Sequence, residues 1–176
     1  FDNQKRLSDL IVRFRQIPQP VIAAVNGVAA GGGMCFALAS DVRIAGPNAR
    51  FIASFVNVGL SGGELGASYF LPRLVGMSKA SELLLTGRDV YAEEALQIGL
   101  VSKIVGENEV LQEAFEIANM MLGKSPLGLK LTKEILNSSL EHNLEASLQV
   151  ENRSQVLCVL SGSFEDAIER FANRKK

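Results

Sequence analysis

Apolar residues recur along this chain with two different periods. Within residues 5–16 (KRLSDLIVRFRQ), Leu7, Leu10, Ile11 and Phe14 fall at helical spacing and predict an amphipathic helix. Pro18 and Pro20 end it, because proline cannot continue a helix and biases its predecessor toward extended geometry. The short apolar run 21–25 (VIAAV) predicts a strand buried on both faces. Asn26-Gly27 signals a turn, Gly31-Gly32-Gly33 follows, and 34–39 (MCFALA) predicts a short buried helix. Residues 41–45 (DVRIA) predict a second strand and 51–55 a third. The pattern then turns helical, with helices over 79–85 and 92–97, a strand over 100–105, and helices over 108–122, 126 to about 136, 144–160 and 163–173, the last with Ser163 as N-cap. Strand, glycine turn, helix and strand in succession is α/β organisation in the first half. No repeat, low-complexity segment or linker divides the chain.

Composition narrows the function classes. The 176 residues are 47% hydrophobic and 21% charged, with a formal net charge of −1, an ordinary globular balance. The one basic run is the terminal Arg174-Lys175-Lys176, so nucleic acid is not an expected partner. No uninterrupted apolar run reaches membrane-spanning length. Two cysteines, Cys35 and Cys158, do not suggest a disulfide framework and fit a reducing compartment. No His/Cys/Asp cluster has metal spacing, and none is expected to bind one. The first residue is Phe1 rather than Met, so the chain is read as starting downstream of a natural N-terminus, and a targeting segment is not visible.

The triple glycine is the first candidate for chemistry. Glycine permits positive φ and close approach to the backbone, and the first N–H groups of a helix lack intrahelical partners at the positive end of its dipole. Such a place receives an anion or a polarised carbonyl oxygen. Met34-Cys35 after Gly33 does not match the Gly-Lys-Ser/Thr of a phosphate loop, and the dinucleotide fingerprint is missing too. Two readings stay open: a tight packing turn, or a site for a neutral or transiently charged oxygen. Cys35, near the predicted helix start, reads as a small core residue before a nucleophile, since His142 is the one histidine and lies on a distant polar stretch, read as surface helix. Asp41 reads as structural.

The run 20–33 (PVIAAVNGVAAGGG), followed by 38–45 (LASDVRIA), resembles the signature of the crotonase family, the enoyl-CoA hydratases and isomerases. Residues 71–76 (LPRLVG), 85–88 (LTGR), Glu94-Ala95 and 99–101 (GLV) agree in order, and 171–175 (FANRK) is similar to the family's C-terminal Phe-x-x-Lys-Arg. The resemblance implies an α/β fold of ββα units in a superhelix: residues 1–105 as the C-terminal part of that core, and 106–176 as a helical oligomerisation region. It further implies an acyl-CoA substrate, no cofactor beyond the coenzyme A of that substrate, and a homotrimer or dimer of trimers. It places the protein in the cytoplasm, or in the mitochondrial matrix or peroxisome of a eukaryote. Gly32, the middle glycine, becomes one of two oxyanion-hole donors. The other donor and much of the coenzyme A surface belong to an upstream block not found among these residues, so the chain is read as lacking the family's N-terminal portion. Ala24, Gly31, Phe55 and Leu60 become substrate-binding residues, while Phe171 and Arg174 reach the coenzyme A of a neighbouring subunit.

The acids depart from the best-known branch. Family hydratases carry two glutamates; their positions here fall on Cys35 and Phe55. Adding water to a double bond needs one group to activate water and one to protonate carbon. One acid remains, Glu64, nine residues before Arg73, where enoyl-CoA isomerases, dienoyl-CoA isomerases and chlorobenzoyl-CoA dehalogenases of the family place their catalytic acid. The expectation is double-bond isomerisation, with Glu64 as single acid/base and Gly32 N–H on the enolate oxygen. The alternatives are a non-standard hydratase, or a catalytically weak acyl-CoA-binding or assembly subunit. Without the resemblance, Glu64 reads equally as a solvated glutamate in a glycine-rich turn.

Overall fold

In a computed structural model of the chain, residues 2–168 are described except 140, 163 and 166. Of the predicted 163–173 helix, residues 164, 165, 167 and 168 are helical, while its Ser163 cap, Phe171 and Arg174 lie outside the described residues. The chain divides into two compact units, Phe1–Ala118 and Asn119–Lys176.

The first unit opens with helix α1 (Asp2–Gln16), whose Ile11 is buried. Strands β1 (Ile22–Val25) and β2 (Val28–Ala30) flank Asn26-Gly27, and helix α2 (Gly32–Ala39) follows the glycine turn. Strands β3 (Val42–Ala45) and β4 (Arg50–Ile52) repeat the arrangement, with β3 parallel to β1 and β4 parallel to β2. Each strand–turn–strand pair thus lies on the next, the ββα stacking expected from the sequence. Two three-stranded sheets result, β1-β3-β6 and β2-β4-β5, completed by β6 (Lys103–Ile104) and the antiparallel β5 (Asp89–Tyr91).

Helix α2 is apolar on every side, so it can only be a core helix; Met34, Cys35, Ala37, Leu38 and Ala39 are buried. Around it pack Phe51, Leu71, Leu83, Val90 and Leu100, each at most 1% exposed. Arg43 on β3 is 9% exposed and donates to the carbonyls of Ala37, Leu38 and Ser40 at the end of α2 and of Leu100 before β6. A cation there complements the negative end of the helix dipole. Burial, then the nearby Arg15 guanidinium, lowers its pKa. Asp41 is structural: one carboxylate oxygen takes the Val21 N–H at 2.7 Å and the other pairs with Arg15 at 3.1 Å, joining α1, β1 and β3.

Several predicted elements shift. The third strand spans Arg50–Ile52, not 51–55, because Ser54 and Phe55 already turn into the 3-10 turn Val56–Val58. The 100–105 strand shrinks to Lys103–Ile104; Leu100 and Val101 are buried but not paired in a sheet. Helix α3 (Ala67–Val75) forms despite Pro72 within it, and α4 (Met77–Thr86) and α5 (Ala92–Gln97) follow. Helix α6 (Val110–Leu122) starts in the first unit and ends in the second.

In the second unit Pro126, pre-set for a first helical position, opens α7 (Pro126–Ser139), and Asn143 caps α8 (Leu144–Leu160) by accepting the Ala146 N–H at 2.9 Å. His142 is exposed in the bend before α8, not in a helix: the Asn143 cap fixes the start one residue after it. Helix α8 exposes Leu144, Leu148, Val156, Leu157, Val159 and Leu160. No helix among the described residues is long and apolar enough to cross a membrane.

Candidate active site

The glycine turn is built by backbone bonding. Gly31 adopts φ 50°, and its N–H donates to Ile52 O at 3.0 Å, so this N–H is consumed by the sheet edge. A side chain at 31 would press on Ser54 Oγ at 3.2 Å and the Phe55 ring at 3.6 Å, so this position needs glycine for its torsion and its neighbours alike. Gly32 then opens α2, and no side chain caps that helix start. Its N–H has no partner among the described residues, as expected of a first-turn donor.

Glu64 arrives at the same place from the other side. Its loop is pressed onto α4 at Gly62, where a Cβ would sit 2.3 Å from Leu84 O. Leu65 is the one non-glycine residue with positive φ among the described residues, at 46°, a conformation that costs energy and collects at functional turns. Its side chain lies over Gly32: a Cβ there would stand 3.8 Å from Leu65 Cδ1. The Glu64 carbonyl accepts the Ala67 N–H at 2.8 Å and the Cys35 thiol at 3.5 Å. Its carboxylate accepts the Leu65 N–H at 3.1 Å and the Gln4 side-chain amide.

Cys35 is fully buried. Burial first, and the Glu64 charge second, push its thiol up to about 11 from a usual 9.0. It is a neutral core thiol that holds the Glu64 backbone and no nucleophile at ordinary pH.

The structure therefore gathers Gly31, Gly32, Phe55 and Glu64, with Cys35 behind them. Phe55 and Leu65 pack partly against the core, while Leu60 is 58% exposed and joined to Phe55 by its N–H. Ala24 stands apart in an open groove of about 480 Å³ along β1 that includes Gly33, Phe14 and Phe36. Sequence reasoning missed Gln4, Ser54 and the left-handed torsion of Leu65. Gln4 is a polar residue on a helix sixty positions away, and nothing in its local pattern points to Glu64. No group of three or more His, Cys, Asp and Glu among the described residues is arranged to hold a metal ion.

Parallel-stacked ββα units feeding an uncapped start of a core helix define this as an α/β chain of the crotonase fold. A family model described as enoyl-CoA hydratase/isomerase matches residues 2–176. A probable enoyl-CoA hydratase of Mycobacterium tuberculosis is 48% identical over 171 residues, covering 96% of this chain and 60% of the relative. The crystal structure of a probable enoyl-CoA hydratase/isomerase from Mycobacterium abscessus superposes with a TM-score of 0.94 at 43% identity, over 98% of this chain and 67% of that one. That of a monofunctional enoyl CoA isomerase from M. smegmatis is 52% identical over 81% of this chain and 68% of its own, with a TM-score of 0.75. The chain belongs to the enoyl-CoA hydratase/isomerase family. It spans about three fifths of the length of the curated relatives it matches, 60% for the first and 62% for a clostridial short-chain-enoyl-CoA hydratase.

Proposed function

We propose that this chain carries the reacting centre of an acyl-CoA double-bond isomerase. Glu64 removes a proton from C2 of a 3-enoyl-CoA, the Gly32 N–H holds the thioester oxygen as charge develops on it, and the same carboxylate returns the proton at C4. A donor aimed at such an oxygen contributes roughly 2.7–4 kcal/mol to the transition state, and the uncapped start of α2 adds the positive end of its dipole. The observation that carries this reading is the joining of Glu64 to the glycine turn through Leu65, over Gly32. One carboxylate suffices for a shuttle between two carbons. Phe55 and the buried Cys35 stand at the positions of the family hydratases' glutamates, so neither of those two positions supplies a second acid. The similarity to a monofunctional enoyl CoA isomerase fits. Gly31, Phe55 and Leu60 then flank the acyl group and Ala24 lines its approach; Phe171 and Arg174 serve the coenzyme A of a neighbouring subunit.

Hydration is the second reading, favoured by the hydratase names that most of the relatives carry. A homotrimer or dimer of trimers in the cytoplasm completes the proposal, with coenzyme A arriving as part of the substrate and no separate cofactor. The exposed leucines and valines of α8 are suited to burial between subunits. Glu64→Gln tests the chemistry. Conversion of a 3-enoyl-CoA should fall by a hundredfold or more, on the order of what a positioned acid/base supplies, with KM little changed. Full turnover by Glu64→Gln would remove Glu64 from the mechanism.

A further inference from the structure

Both donors that reach the Glu64 carboxylate land on the same oxygen. The Leu65 N–H and the Gln4 side-chain amide each donate to Oε1. No described group donates to Oε2. A carboxylate has room for about four donors, so two on one oxygen and none on the other divides its work: one oxygen is tethered and the other is open.

The tether has two parts of different origin. Leu65 belongs to the same turn, and its N–H is fixed by the backbone at φ 46°. Gln4 comes from α1, a helix held onto the core far from residue 4. Phe14 meets Phe36 edge-on at 5.3 Å, Arg15 donates to Ala39 O at 2.9 Å and pairs with Asp41, and Ile11 is 5% exposed. The anchored end of α1 thus carries its exposed first turn over the Glu64 loop. A glutamate side chain has three rotatable bonds, and the Leu65 N–H alone leaves it a hinge. The second donor removes that freedom.

We propose that Gln4 is a positioning residue for Glu64, pinning Oε1 so that Oε2 alone carries the proton between the two carbons. This rests on the role assigned to Glu64 above. The proton on C2 passes to Oε2 while its bonding pair forms the enolate. The double bond moves from C3–C4 to C2–C3 as C4 takes the proton from Oε2, and the carboxylate is regenerated. Gln4 exchanges no proton. A shuttle that must serve two carbons from one oxygen loses rate when that oxygen wanders, because small misplacements of a reacting group are costly.

The test compares Gln4→Met and Gln4→His with the full natural protein on a 3-enoyl-CoA at about pH 8, where imidazole is neutral. Methionine matches glutamine in length and helix preference but has no donor; the distal N–H of histidine stands close to where the glutamine amide stood. We expect Gln4→Met to lose about tenfold in kcat, the scale of one hydrogen bond to a charged group, with KM within about twofold. Gln4→His should recover most of the loss, a rescue that a packing role would not give. Undiminished kcat in Gln4→Met, or Gln4→His as slow as Gln4→Met, overturns the role of Gln4. Glu64→Gln separates the two failures: if it retains turnover, the Glu64 reading falls and this one with it, whereas loss of turnover in Glu64→Gln beside an unaffected Gln4→Met overturns Gln4 alone.

Discussion

Cys35 concentrates the residue-scale physics of this site. It is fully buried in α2, donates to the Glu64 carbonyl and feels the Glu64 charge, and its thiol is raised to about 11. A thiol raised on folding contributes stability that is whole below the unfolded value near 9 and is lost as pH climbs through the folded value near 11. Urea unfolding at about pH 8 and about pH 10.5 should therefore show wild type losing ~2 kcal/mol more than Cys35→Ala between the two conditions. Equal losses in both proteins would mean that the thiol ionises as readily folded as unfolded. At this scale the sequence was partly legible. Cys35 reads as a core residue from its apolar neighbours, and Glu64 stands out by its spacing from Arg73 once the family resemblance is in hand. Gln4 and the torsion of Leu65 do not stand out, because a hydrogen bond across sixty residues and a left-handed leucine leave no mark on local pattern.

At the scale of elements, the site depends on α2, whose start is fixed by the Gly31 N–H on Ile52 O and whose far end is held by Arg43. Arg43 binds the carbonyls of residues 37, 38 and 40 and links them to Leu100 O. Arg43→Met keeps most of the apolar stem and removes every donor. We expect it to cost ~2–4 kcal/mol of unfolding free energy, the size of losing a buried charged hydrogen-bonding hub; a change below ~0.5 kcal/mol would show that water replaces the guanidinium freely. Two helices were readable to the residue: 92–97, with two glutamates in its first turn, and the long 144–160. The missed ones have physical reasons. Strands β2 and β5 are three residues each and are made by pairing with β4, not by their own alternation. Helix α3 hides behind Pro72 and starts at a glycine, two signals that ordinarily argue against a helix.

For the molecule as a whole, the ordered family blocks made the ββα stacking legible, since each strand run is apolar and each turn is marked by glycine or asparagine. The reaction was less legible: the fold hosts more than one chemistry, and the choice turns on one carboxylate where hydration wants two. The measurement that bears most directly on the central claim is absorbance of the full natural protein with two substrates, a 3-enoyl-CoA followed for conjugation and a 2-enoyl-CoA followed for loss of conjugation. Single-carboxylate isomerisation built on Glu64 requires conjugation of the first and a stable signal from the second. Loss of the conjugated signal from the second would mean water addition, and with it a second acid that contradicts this account.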